Sequence, residues 1–295
     1  MPQPILAIVH VYYTDMWNEL KDALSNITVP YDLYVTAIDG SLKDQVLSFK
    51  SDAHFTTVEN RGYDVGPFVD VLNQINLDDY SYVIKLHTKR DLSYGSRLNG
   101  YNTSFGLWRG YALSFLKKEN FEKCLKAFEE NPKLGMVSNY HLILDKEPED
   151  KQAAEGACRL LDKIGLTANQ VKFAAGTMFM CRAKLLKAVQ KLQLNLSDFE
   201  VPDRKQKTSL AHIMERFFGC AVIAQGSTLE DVFSDPKQQA KDKKLTWLRH
   251  LWCFIYYAKV NKRGILRVRI CKIPIPVHWL MKNHDFSCPK DNKKG

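Results

Sequence analysis

No apolar run in this sequence is long enough to cross a bilayer as a helix. The strongest candidate, Leu245 to Val260, has 16 residues and carries Arg249 and Lys259. The cysteines do not form a framework. There are seven (Cys124, Cys158, Cys181, Cys220, Cys253, Cys271 and Cys288), an odd number with no C-x-x-C pair. That sets aside both a disulfide scaffold and a zinc signature. Most sit in apolar runs, where buried reduced thiols are expected in a reducing compartment. Met1-Pro2-Gln3-Pro4 has no positive n-region, so no signal peptide is expected. The glycine spacings of Rossmann and Walker loops are also missing. There is no internal repeat, and no low-complexity segment before about residue 237.

What is present is an ordinary globular composition. The chain has 295 residues, 45% hydrophobic and 25% charged, enough for a substantial core. Its net charge of +9 is unevenly placed. Residues 237–295 hold 15 Lys/Arg against 3 Asp/Glu, and the remainder 27 against 30. The expected organisation is a near-neutral body over residues 1–236 and a basic tail over 237–295.

The body reads as alternating strands and helices. Ile5 to Val11 is an apolar run broken only by His10, and Tyr31 to Ala37, Phe55 to Val58 and Tyr82 to Leu86 are further strands. Asp15 to Asn26, Leu42 to Phe49 and Phe68 to Ile75 have helical spacing between them, with Pro67 suited to a first helical turn. Beyond these, helices are expected over 108–128, 150–164, 183–192 and 209–218. Strands are expected over 134–137, 173–181 and 220–224. The pattern predicts an α/β fold, a mostly parallel sheet with helices on both faces.

Right-handed crossovers bring the loops after the strands to one edge, where open α/β sheets bind ligands. Those loops carry Tyr12 to Asp15, Asp39-Gly40-Ser41, Asn60 to Gly66 and His87 to Asp91. Asn60, Arg61, Gly62 and Asp64 lie in a glycine-bearing loop that runs into a helix N-terminus, a setting that favours anions. An ordinary βα loop has the same residue types. Asp39 can accept from a base or ribose, or serve only its turn. His87, Lys89 and Arg90 can neutralise a diphosphate without a metal. Asp91 alone is a poor metal site, and the paired carboxylates that hold a divalent cation in many nucleotide-sugar enzymes are absent. His212 and Glu215 share a helix face and suit acid/base chemistry, although a surface helix paired through Arg216 reads the same way. Trp108 and Arg109 offer an aromatic platform and a cation, though Trp108 fits a core equally well. Gly176-Thr177 within an apolar strand suggests close backbone approach or a bulge.

Taken together, NRGYDVGPF (60–68), YVIKLHTKRD (82–91), LWR (107–109), AGTMFMCR (175–182) and LAHIMERFFG (210–219) resemble the rhamnan synthesis protein F family of bacterial polysaccharide glycosyltransferases. The resemblance covers about residues 5 to 226. It implies a GT-A-like nucleotide-diphosphosugar transferase with dTDP-rhamnose as donor. It also implies a lipid-linked cell-surface glycan as acceptor and a cytoplasmic position on the inner face of the bacterial plasma membrane. On that reading Asp39, Asn60, Arg61, Gly62, Asp64, His87, Lys89 and Arg90 hold the donor. Trp108, Arg109, Gly176 and Thr177 face sugar or acceptor, and an inverting transfer uses Glu215, or second His212, as base. No cofactor is required; a divalent metal stays open as an alternative, as does a non-catalytic glycan-binding subunit. One departure is Arg204 to Ser209, where an acidic, glycine-containing segment is expected in the family. The tail mixes aromatics with Lys262, Arg263, Arg267, Arg269 and Lys272. It is expected to be a helical, membrane-associating segment on anionic lipid, with a helix packing back on the body, ending in disorder from about Asn283, as the plain alternative and nucleic acid ranked below both.

Overall fold

The computed structural model describes residues 3–90, 105–145, 151–203 and 208–241, together with five short strands elsewhere. The chain divides into two compact units, Met1–Ser234 and Asp235–Gly295.

The first unit opens with β1 (Ile5–Val11), α1 (Trp17–Leu24), β2 (Tyr31–Ala37), α2 (Lys43–Phe49), β3 (His54–Thr57), α3 (Val65–Asn73) and β4 (Tyr82–His87). These four strands pair in parallel, in the order β4-β1-β2-β3. A small hairpin, β5 (Ser96–Leu98) and β6 (Tyr101–Thr103), precedes α4 (Phe105–Ala112), α5 (Lys118–Glu130) and β7 (Leu134–Val137). Then come β8 (Ile143–Leu144), α6 (Lys151–Lys163), β9 (Phe173–Ala174), β10 (Phe179–Arg182), α7 (Lys187–Gln190), α8 (Leu210–Ala224) and β11 (Thr228–Glu230). The seven-stranded sheet runs β11-β7-β10-β4-β1-β2-β3. β10 is antiparallel to both neighbours, and β11 is parallel to β7. The fold is therefore α/β with a mostly parallel sheet, as the alternation of periods predicts.

Strand alternation sorts the core into two layers. Ile5, Ala7, Val9 and Val11 pack with Trp17, Leu24, Trp108, Phe121 and Phe128 on one face. Leu6 and Ile8 pack with Phe68, Leu72, Phe179, Phe217 and Phe218 on the other. Both faces are covered, so the central strands read as continuous apolar runs.

Four elements differ from the sequence expectation. The single helix expected over 108–128 is two. Ser114 Oγ donates to Tyr111 O at 2.6 Å, Lys117 turns extended (ψ 138°), and α5 starts afresh. A hydroxyl that bonds nearby backbone offers the chain an alternative to continuing the helix. The strand expected over 173–181 is broken by Gly176 and Thr177, both with positive φ. The strand expected over 220–224 is the last turn of α8, where Cys220, Ala221 and Val222 are buried. A short apolar run does not tell strand from buried helix. The tail expected as a helix contains β12 (Tyr256–Val260), β13 (Leu266–Ile270) and β14 (Ile273–Ile275) in an antiparallel sheet. Leu266-Arg267-Val268-Arg269-Ile270 alternates with period two, the strand pattern. Most of the aromatic run from Leu245, Asp91, and Arg204 to Lys207 lie outside the described residues.

Candidate functional site

β4 carries apolar residues to one face and a lysine and a histidine to the other. Ile84 and Leu86 enter the first core layer. Lys85 and His87 alternate to the opposite face and are 1% and 6% exposed. A buried ammonium requires a partner, and Asp64 supplies it. Asp64 stands at the N-cap of α3, yet its carboxylate makes no cap bond to its own helix. It reaches back instead, so that Oδ2 accepts from Lys85 Nζ and Thr177 Oγ1. Lys85 Nζ also donates to Thr177 Oγ1 at 2.8 Å. His87 Nε2 lies 3.8 Å from the same Asp64 oxygen and 2.7 Å from Gly176 O.

Burial opposes every charge in this cluster. It raises Asp64, but His87, Lys85 and the bonds from Lys85 and Thr177 outweigh it and hold the carboxyl far below its usual range. Burial lowers Lys85, with Asp64 opposing. Burial also lowers His87, against Asp64 and with Lys85 and Lys89 adding to the fall. Asp64 and Lys85 are thus an ion pair under the sheet edge, and the His87 ring lies between two carbonyl oxygens, Gly176 O at 2.7 Å from Nε2 and Thr88 O at 3.1 Å from Nδ1.

The turn that Asp64 grips is strained. Gly176 has φ 79° and Thr177 φ 56°, and a β-branched residue seldom adopts that region. Such strain costs on the order of 1–3 kcal/mol and persists where surroundings over-determine it. Here the Thr177 side chain is held as described, and Gly176 N donates to Glu215 Oε1 at 2.6 Å. Trp108 lies directly on Gly176, where an added Cβ would come within 2.0 Å of Trp108 Cζ2. Lys89 Nζ sits 4.4 Å from the Trp108 ring centroid, a cation–π contact. Arg109 Nε spans the Glu19 oxygens at 3.1 and 2.9 Å, and its Nη1 donates to Lys89 O. One connected network therefore joins α3, β4, α4, the 176–177 turn and α8 at the edge of the sheet where the parallel strands end.

The family model for rhamnan synthesis protein F matches residues 1–227. The chain belongs to this family. It is also 26% identical over 231 residues to the uncharacterized protein WxcX of Xanthomonas campestris pv. campestris, in strains B100 and ATCC 33913. That match covers 76% of this chain but 32% of WxcX, so the chain spans about a third of the length of these relatives. Among solved structures it is similar to S. aureus TarS 1-349, with a TM-score of 0.41 and 13% identity, over 84% of this chain and 65% of that one.

In this member of the rhamnan synthesis protein F family, the site residues expected from sequence fall into two groups. Asp64, His87, Lys89, Trp108, Arg109, Gly176, Thr177 and Glu215 join the network above. The expected cationic cluster does not form as such. His87 is buried and its charged form disfavoured, and Arg90 pairs with Asp15 at 2.6 Å beside the Tyr13 ring. The N-terminus of α3 is not open to an anion as expected. Val65 N and Gly66 N donate to Gly62 O at 3.0 and 3.1 Å, and Pro67 has no amide hydrogen. Arg61 bonds Glu59 Oε2 and Phe199 O at 2.8 and 3.1 Å. Gly62, with φ 64°, lies so close to Phe199 that a Cβ would be 2.5 Å from its ring. Both shape the loop, with Asn60 half-buried beside them. Asp39 is exposed and accepts from Ser41 N at 2.8 Å. His212 Nδ1 accepts from Ser209 N at 3.2 Å, capping α8. Its lone-pair nitrogen is thereby occupied, which disfavours it as a base.

Two residues escaped the sequence reading. Lys85 was legible as a lysine inside an otherwise apolar strand. His10, opposite His87 in β1, is 4% exposed. Its Nδ1 pairs with Thr36 Oγ1 at 3.0 Å, and its Nε2 has no hydrogen-bond partner among the described residues. Burial pushes its pKa down to about 4. No group of three His, Cys, Asp or Glu converges among the described residues, and no described helix is long and apolar enough to cross a membrane.

Proposed function

We propose that this chain is a GT-A-like glycosyltransferase domain that builds a cell-surface polysaccharide. The observation that carries the reading is the family match over residues 1–227. The polar network at the strand ends supports it by its position, where open α/β sheets take ligands. In its finer form the donor is dTDP-rhamnose and the acceptor a lipid-linked glycan. The acceptor hydroxyl attacks the sugar's anomeric carbon while the bond to the nucleoside diphosphate breaks. Inversion needs a base for the hydroxyl proton, and Glu215 in the second turn of α8 is the proposed one. Lys89, with Arg90 beyond it, would meet the charge that develops on the leaving diphosphate. Asp39 lies on the side where the base would rest.

The experiment is calorimetric titration of the protein with dTDP-rhamnose, UDP-sugars and GDP-sugars, with and without EDTA. Binding of dTDP-rhamnose that survives EDTA is the expected result. Binding of none of them would remove the reading. The basic second unit is proposed to rest on an anionic membrane surface at the cytoplasmic face. Salt-sensitive cosedimentation with vesicles containing phosphatidylglycerol, and not with phosphatidylcholine alone, is expected.

One observation favours a second reading, a non-catalytic sugar-nucleotide-binding subunit. Both Glu215 oxygens are already engaged, Oε1 by Gly176 N and Oε2 by Arg216 Nη1 at 2.5 Å. Donor binding without detectable transfer would support it.

A further inference from the structure

The two oxygens of Asp64 are treated very differently. Oδ2 takes Lys85 Nζ and Thr177 Oγ1. Oδ1 has no hydrogen-bond partner among the described residues and is not one of the fully buried atoms. The side chain as a whole keeps 18% of its exposure. An ionised carboxylate costs free energy wherever it is removed from water, and an N-cap aspartate would ordinarily spend it on its own helix. Here Lys85, packed beneath, fixes the carboxylate with Oδ2 bonded inward and Oδ1 left without a bond at the end of the parallel strands.

The surroundings decide what that open oxygen can meet. A carboxylate only accepts hydrogen bonds, so its complement is a donor. A phosphate oxygen brings negative charge and no donor. The neighbouring amides that could have drawn a phosphate, Val65 N and Gly66 N, are bonded to Gly62 O. A divalent cation would face the Lys85 ammonium at the same carboxylate. A neutral hydroxyl suits all of these conditions.

We propose that Asp64 is the specificity-determining contact for the donor sugar: its Oδ1 accepts a hydrogen bond from a ring hydroxyl of the transferred pyranose, and the diphosphate lies away from it. This rests on the transferase reading and names which part of the donor the α3 loop recognises. Lys85 and Thr177 are the positioning residues that hold the carboxylate for it.

The substitution Asp64→Asn separates the possibilities. Its carbonyl can keep the bonds from Lys85 and Thr177, which places the amide NH2 where Oδ1 stood and turns an acceptor into a donor. Calorimetry would compare dTDP-rhamnose with free dTDP, in EDTA, on wild type and variant. If another sugar nucleotide of the panel binds instead, that ligand and its own diphosphate are used. The sugar nucleotide should bind on the order of 10- to 100-fold more weakly to the variant, as loss of a hydrogen bond to a charged group does. Free dTDP should bind equally well or tighter, because a negative charge is gone. A parallel loss for both ligands, or no loss for either, would overturn the inference while leaving the transferase reading standing. A requirement for divalent metal in the wild type that disappears in the variant would also overturn it. Wild type binding neither ligand would remove the donor site altogether. If the variant does not fold, the ligand is varied on wild type instead. One deoxygenated analogue of the donor sugar should then lose at least about tenfold, and uniform binding of all analogues would refute the contact.

Discussion

Replacing Gly176 by alanine tests the central contact of the network. Two costs add at this position. The backbone is left-handed, with φ 79°, and an L-residue there costs roughly 1–2 kcal/mol. The new Cβ would also lie 2.0 Å from Trp108 Cζ2 and 2.4 Å from Cη2. Trp108 is 4% exposed and has Lys89 against its ring, so it cannot swing into solvent. Overpacking of this kind costs about 1–3 kcal/mol. The sum is on the order of 2–5 kcal/mol. In a domain of this size each kcal/mol lowers Tm by about 2–4 °C. Urea and thermal unfolding of Gly176→Ala read the total, and Trp108→Phe in the same background separates the parts. Phenylalanine lacks the atoms that collide, so the steric share should be recovered and the backbone share retained. The double-mutant cycle should show a favourable coupling of about 1–3 kcal/mol. A loss below about 1 kcal/mol, or additive behaviour of the two substitutions, would refute the packing argument.

Glu215→Gln can keep the bond from Gly176 N through its carbonyl while removing the proton acceptor. Transfer should fall by at least about a hundredfold with donor affinity unchanged in calorimetry, and near-normal transfer would show that the residue only holds the turn. His10 gives a pH signature. Its folded pKa of about 4 lies below the ordinary 6.5, so on acidification the unfolded chain takes up the proton first. The stability it contributes is present above pH 6.5 and is lost as pH falls from 6.5 towards 4, by up to about 3 kcal/mol. His87 shifts in the same direction, so the comparison is between wild type and His10→Phe. The variant should show a flatter urea-stability profile across that window, and superimposable slopes would count against the assignment.

The strand–helix alternation of residues 5–87, the parallel sheet and the edge that gathers the loops were all legible in the sequence. Each follows from local periodicity and from the handedness of crossovers. Most network residues were legible as candidates too, because they stand after apolar runs or inside the motifs that together resemble the family. Their partnerships were not. Lys85 is 21 residues from Asp64 and 92 from Thr177, and Glu215 is 39 from Gly176. No periodicity reports which of two distant residues will meet.

By itself, the sequence determined where the chain alternates and which loops would share an edge, because backbone sterics and burial act over a few neighbouring residues. Only the tertiary structure decided which charges are spent inside. It buried Lys85 against Asp64, enclosed His87 between Gly176 O and Thr88 O and turned Arg90 to Asp15. It filled the α3 amides with Gly62 O and reversed β10 against its neighbours. Burial and pairing set the state of a charge, and both are properties of the packed chain.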